Sequence, residues 1–179
     1  MKNSSFISRF GAVLTAAAIL MCTSCGTPRT AAQKAADDAR VEQLVKERLE
    51  ARSFRVDVDR MLPVRGGSQV LTSPYSVTVD GKRLLSHLPY MGVAYNVPYG
   101  GGKVLGFESD IASYREAING PDSRKIIITT DNGEDFLTYT LIVFTNGKAS
   151  IDVMSRNREP ISFQGALDPD FDPKAPEED

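Results

Sequence analysis

DFLTYTLIVFTNGKASIDVM, residues Asp135 to Met154, holds two runs in which an apolar side chain falls on every second residue, with one turn signal between them. Leu137, Tyr139, Leu141 and Val143 form the first run, and Ala149, Ile151 and Val153 the second. Successive side chains of a strand point to opposite faces, so each run describes a strand with one buried face. Asn146-Gly147 is a pair that tolerates the positive φ a two-residue hairpin turn demands. The stretch therefore reads as an antiparallel hairpin, and it sets the pattern for the rest of the chain.

Working outward, Arg124 to Thr130 reads as a strand before it, joined through Asn132-Gly133, and Ile161 to Phe163 as one after it. Toward the N-terminus, Phe54, Val56 and Val58 alternate with Arg55, Asp57 and Asp59. Met61 to Gly67 reads as a loop, Val70 to Val79 as the next strand, and Asp80-Gly81 as a tight turn into Lys82 to Leu85. Ser86 to Gly102 follows, rich in Pro, Gly and Tyr, and reads as a long shaped loop. Val104 to Phe107 is again a strand, whereas Ile111 to Ile118 fits a helical turn, a short strand or a bend. About eight strands with short connections close most economically into an up-and-down barrel or a two-sheet sandwich.

Before the strands the periodicity is helical. From Thr30 to about Arg52, Val41, Leu44, Val45 and Leu49 share one face, and Thr30 is a suitable cap. The first half is rich in alanine and has little to bury, which suits a stalk. Earlier still, Lys2 and Arg9 precede the apolar run Gly11 to Met21, and Thr23-Ser24-Cys25-Gly26 ends it in small residues around a cysteine. This looks like a lipoprotein signal with cleavage before Cys25 and acylation of that residue. The expected organisation is a signal peptide over 1–24, a tether and helix over 25–53, the β-domain over 54–167 and a disordered acidic tail over 168–179.

These features exclude several chemistries. Loss of Cys22 and acylation of Cys25 leave no free thiol for a disulfide, a nucleophile or zinc. Residues 26–167 carry 18 basic against 17 acidic residues, so no basic surface calls for nucleic acid. His87 is the only histidine, which removes two-histidine metal sites and leaves one residue around which a hydrolase could be assembled. Gly100-Gly101-Gly102-Lys103 leads into a strand, where a phosphate loop needs a helix. Asp57 with Asp59, and the acids of Asp131 to Asp135, read as a solvated strand face and a hairpin turn ahead of cation sites. No cofactor is implied. Tyr90, Tyr95 and Tyr99 remain as candidate contacts for a ligand or partner, set against a plain role as core under the loop.

Taken in order, several segments resemble domain of unknown function 4251, a family of small exported Bacteroidota proteins, many with lipoprotein signals. They are Phe54 to Pro63, Tyr75 to Gly81 (YSVTVDG), Leu88 to Tyr95 (LPYMGVAY), Phe144 to Ala149, and Ile161 to Gly165 (ISFQG). The resemblance spans Phe54 to Leu167 and is most specific at the LPY-x-G-x-A-Y core of the long loop. It implies a lipocalin-like up-and-down β-barrel and no established activity, catalytic residue or ligand. The functional expectation is a noncatalytic cell-envelope module that is anchored to membrane through Cys25 and binds a small hydrophobic ligand or an envelope protein. The residues after Cys25 lack an acidic cluster, which favours the periplasmic side of the outer membrane. A hydrolase around His87 is the alternative.

Overall fold

The computed structural model describes residues 30–95 and 104–173. The chain divides into two units, Met1–Lys34 and Ala35–Asp179. Of the first, the described residues are Thr30–Lys34, the start of helix α1 (Ala31–Ala51). Here Thr30 Oγ1 accepts from the Gln33 amide at 3.3 Å and Gln33 Oε1 accepts from the Thr30 amide at 2.9 Å, a reciprocal pair that satisfies two amides lacking helical partners.

In the second unit, α1 buries Val45 and Leu49 and leads into eight antiparallel strands. They are β1 (Ser53–Pro63), β2 (Gln69–Asp80), β3 (Arg83–Pro89), β4 (Val104–Ile118), β5 (Ser123–Asp131), β6 (Phe136–Phe144), β7 (Lys148–Ser155) and β8 (Ile161–Leu167). Each pairs with the next, and β1 pairs with β8, so the sheet is a closed barrel. Of the two architectures open to the sequence, closure wins because it leaves no full-length edge strand. The long loop read from Ser86 begins later than expected: Ser86 to Pro89 continue β3, with Ser86 and Leu88 buried. Met61 to Pro63 likewise extend β1. Ile111 to Ile118 is strand, part of a single 15-residue β4.

The interior is packed with inward-facing side chains. Phe54, Val56, Val77, Leu84, Leu88, Ile126, Ile128, Leu137, Tyr139, Leu141, Ile151 and Phe163 have no measurable exposure and belong to one apolar cluster. Eight strands enclose a space just wide enough for side chains to fill, and aromatic residues occupy it here: Phe107 and Tyr139 meet edge to face with centroids 6.5 Å apart. The buried Tyr139 hydroxyl donates to Ser86 Oγ at 2.9 Å. Thr130 Oγ1 donates to the Asp110 carbonyl at 2.8 Å, so this buried hydroxyl too has a partner.

The two ends differ. The β2–β3, β4–β5 and β6–β7 turns share one end with α1, and Gly147 at the β6–β7 turn lies beside Val41. A groove of about 370 Å³ runs between α1 and this end, lined by Val41, Leu44, Val45, Gly147, Leu167 and Pro169. Beyond β8, the Asp168 amide donates to the Arg55 carbonyl at 2.8 Å and Phe171 is half-buried. The β1–β2, β3–β4, β5–β6 and β7–β8 connections share the opposite end.

Closure depends on one close approach. β1 carries a bulge between Val58 and Arg60, and opposite it β8 presents Gly165, where an added Cβ would stand 1.9 Å from the Asp57 carbonyl oxygen. No flexible side chain can yield there, since the obstacle is backbone. Gly165→Ala is therefore expected to lower the free energy of unfolding in urea by at least about 3 kcal/mol. Gly120→Ala meets open space at a φ of +80°, and is expected to lose only about 1 kcal/mol from its backbone. Equal losses would contradict the steric account.

Candidate functional site

The end of the barrel away from α1 is crossed by a short strap, Tyr90–Tyr95, that leaves β3 and reaches the β7–β8 connection. In an eight-strand ring those two positions are nearly diametric, so the strap spans the mouth. Pro89 ends β3, and the chain then forms a small ladder with residues 157–159. The Glu159 amide donates to the Val93 carbonyl at 3.0 Å and the Tyr95 amide to the Asn157 carbonyl at 2.7 Å, with Ala94 opposite Arg158 between them. The Val93 amide donates to Glu159 Oε2 at 3.2 Å, and the other carboxylate oxygen of Glu159 faces Arg65 at 3.2 Å.

Tyr90 is the stopper beneath this strap. Only 8% of it is exposed, and its hydroxyl donates toward the Val93 carbonyl at 3.0 Å and the Glu159 carbonyl at 3.2 Å. Burial raises its pKa, opposed by the Glu159 backbone bond and by the Arg158 guanidinium, which lies 5.2 Å from the ring centroid. Gly92 lets the strap turn tightly over the ring: a Cβ there would meet the Tyr90 hydroxyl at 2.7 Å. Asp135 fastens the neighbouring connections. It is buried, takes a hydrogen bond from Ser155 Oγ, and accepts from the Arg156 amide at 3.2 Å. Arg156 in turn stacks over Phe136 at 4.8 Å.

The tyrosines singled out by sequence thus part company. Tyr90 completes the core, Tyr95 is 70% exposed on top of the strap, and Tyr99 lies outside the described residues, as do Cys25 and the triple glycine. The same end of the barrel also displays Met91 and Val93 from the strap, Val64 from the β1–β2 connection and Val70 from β2, all exposed. Gln69 Nε2 contacts Met91 Sδ at 3.2 Å, which ties β2 to the strap. Sequence reading missed Asp135, Arg158 and Glu159, whose partners lie far along the chain. Asp131 to Asp135 forms a turn: Asn132 Oδ1 accepts from the amides of Glu134 and Asp135 at 3.0 and 2.8 Å. Among the described residues, no cluster of three metal-ligating side chains occurs.

His87 is on β3 rather than in a loop, and it is exposed and stacked on Tyr75 with centroids 5.3 Å apart. Ser86 turns the other way, into the barrel, where it receives the Tyr139 hydroxyl. Burial pushes the Tyr139 pKa up, so that phenol stays protonated and gives Ser86 no base. The register does set Ser76 between Asp57 and His87, but Asp57 is held by Arg55 at 3.0 Å and the serine stands where a catalytic histidine would have to be.

A family model described as domain of unknown function (DUF4251) matches residues 36–167. The chain belongs to the DUF4251 family. Its fold is similar to that in the crystal structure of a DUF4251 family protein from Bacteroides eggerthii, with a TM-score of 0.56 and 17% identity over 74% of this chain and 89% of that one. At that identity the likeness concerns the fold alone. No curated protein matches the chain.

For this DUF4251 protein the geometry separates packing from display. Tyr90→Ala is expected to lower unfolding free energy by about 3 kcal/mol, because a filled site is emptied and two carbonyls lose their donor. Tyr95→Ala is expected to stay within about 0.5 kcal/mol of the parent. Urea denaturation of both variants checks this, and comparable losses would contradict it.

Proposed function

We propose that this DUF4251 chain is a noncatalytic lipoprotein of the cell envelope that recognises an envelope protein through its strap end. One observation carries the reading: the interior is occupied by its own side chains, whereas Val64, Val70, Met91, Val93 and Tyr95 are exposed together at one end. A small hydrophobic ligand inside the barrel would have to displace fully buried residues such as Phe163 and Leu141. An outer contact needs no such displacement, and an exposed aromatic among aliphatic side chains suits an anchor for a protein partner. The strap gives that surface a fixed backbone, which reduces the ordering cost of binding.

The lipid anchor rests on the Thr23-Ser24-Cys25-Gly26 pattern, and the periplasmic face of the outer membrane on the residues that follow it. Within Ala35–Asp179, helix α1 lies against the end opposite the strap, which leaves the strap end uncovered by it. Two measurements test the reading. A photoreactive amino acid at position 95, in cells of the native host, is expected to give a discrete protein adduct that the same group at position 144, on the helix end, does not give. The reading fails if position 95 gives none or if both give the same adduct. For the anchor, Cys25→Ala is expected to abolish labelling by a fatty-acid probe, while Cys22→Ala retains it. Persistent labelling of Cys25→Ala would contradict the lipidation.

A further inference from the structure

Met91 follows the buried Tyr90 on the strap and is 44% exposed. Its sulfur is nonetheless engaged, since Sδ accepts from Gln69 Nε2 at 3.2 Å. Backbone fixes both ends of that contact. Gln69 opens β2 and stands opposite Met61 of β1 in the ladder. Met91 is carried between Tyr90, whose hydroxyl donates toward two carbonyls, and Val93, whose carbonyl accepts from the Glu159 amide. The other described methionines differ from it. Met61 is 3% exposed within the core, and Met154 is 61% exposed on β7 with no hydrogen bond to its sulfur among the described residues.

A thioether sulfur carries two lone pairs, and in a folded chain they are not equivalent. Oxygen added at one gives one sulfoxide epimer, and oxygen added at the other gives the second. An N–H donor to sulfur points at one lone pair and leaves the other toward solvent. With hydrogen peroxide, the free lone pair attacks one peroxide oxygen as the O–O bond breaks. An S–O bond forms, the proton of the transferred oxygen passes to the departing one, and water leaves. Sulfur thereby gives up two electrons and the peroxide takes them. Both lone pairs of Met154 are open to this reaction, packing closes both at Met61, and Gln69 closes one at Met91.

We infer that Met91 is an oxidation site for peroxide at which the Gln69 contact directs oxygen to one face of the sulfur, so that a single sulfoxide epimer forms. Each class of methionine sulfoxide reductase acts on one epimer, so one class alone restores this residue. Met91 belongs to the exposed apolar side chains of the strap end, and the sulfoxide puts a polar, chiral group in their place. Its effect on a partner rests on the strap-end recognition proposed for this chain, whereas the chemistry at sulfur is independent of it.

The test treats the folded full-length chain in detergent with hydrogen peroxide, digests it, and gives the peptides a sulfoxide reductase specific for the S epimer or one specific for the R epimer. Mass spectrometry then quantifies each methionine. In the parent, one of the two enzymes is expected to restore at least about 80% of oxidised Met91, while each restores about half of oxidised Met154. Met61 is expected to oxidise at least about tenfold more slowly than either, and its protection in a variant reports that the variant is folded. Gln69→Glu keeps the size of the side chain and removes its N–H donor at neutral pH, and Gln69→Ala removes both. In each, Met91 is expected to divide about evenly between the two enzymes. The inference is overturned by an even division at Met91 in the parent, by a single epimer retained in either folded variant, by a single epimer at Met154, or by a Met91 that resists peroxide as Met61 does.

Discussion

The hydrogen bonds between β1 and β8, from Val56 opposite Leu167 to Pro63 opposite Ile161, hold the rest of the structure in place. They join strands about a hundred residues apart and turn a meander into a ring. Until they form, the sheet has two open edges and its apolar face lies partly in water. Once they form, the inner face becomes a closed space whose width eight strands dictate, and the side chains from Phe54 to Phe163 must fit it together. Gly165 is where this constraint is tightest, because the two backbones approach there more closely than any Cβ permits.

A closed ring still has two open ends, and the chain treats them differently. At one end α1 lays Val45 and Leu49 against the core. At the other, the strap crosses the mouth and drops Tyr90 into it, where the phenol finds two carbonyl acceptors. An aromatic with a polar tip suits a mouth, since its ring seals apolar space and its hydroxyl meets backbone that water would otherwise solvate. What remains exposed on the strap is then free of any packing duty. That division, Tyr90 inward and Tyr95 outward, moves the functional reading from the barrel cavity to its rim.

Much of the fold could be read from alternation alone, and the errors have physical causes. β6 and β7 alternate without interruption, and Asn146-Gly147 marks their turn. Only the first part of β4, Val104 to Phe107, was legible, and Ile111 to Ile118 stayed ambiguous because the phase changes: Leu105, Phe107, Ser109 and Ile111 keep one parity, whereas Tyr114 and Glu116 take the other after a bulge between Ile111 and Ser113. The end of β3 was hidden by Ser86, a polar residue at an inward position whose partner, Tyr139, is 53 residues away. Family resemblance marked the LPY-x-G-x-A-Y segment as special, and the structure gives the reason for its glycine, which packs against the Tyr90 hydroxyl. Its partners Asn157 and Glu159 carry no local signal, since a ladder of three residues leaves no periodicity.

A barrel filled by its own side chains has no room for the cargo that an open barrel of this size would carry, so specificity has to come from what its ends display. The most direct measurement is a crystal structure of the protein purified from its native host, examined inside the barrel. The expected result is continuous side-chain density from Tyr139 to Phe163, with the Tyr139 hydroxyl on Ser86 and no additional molecule between them. Density for a bound small molecule within the ring, with Tyr90 or Tyr139 displaced, would contradict it.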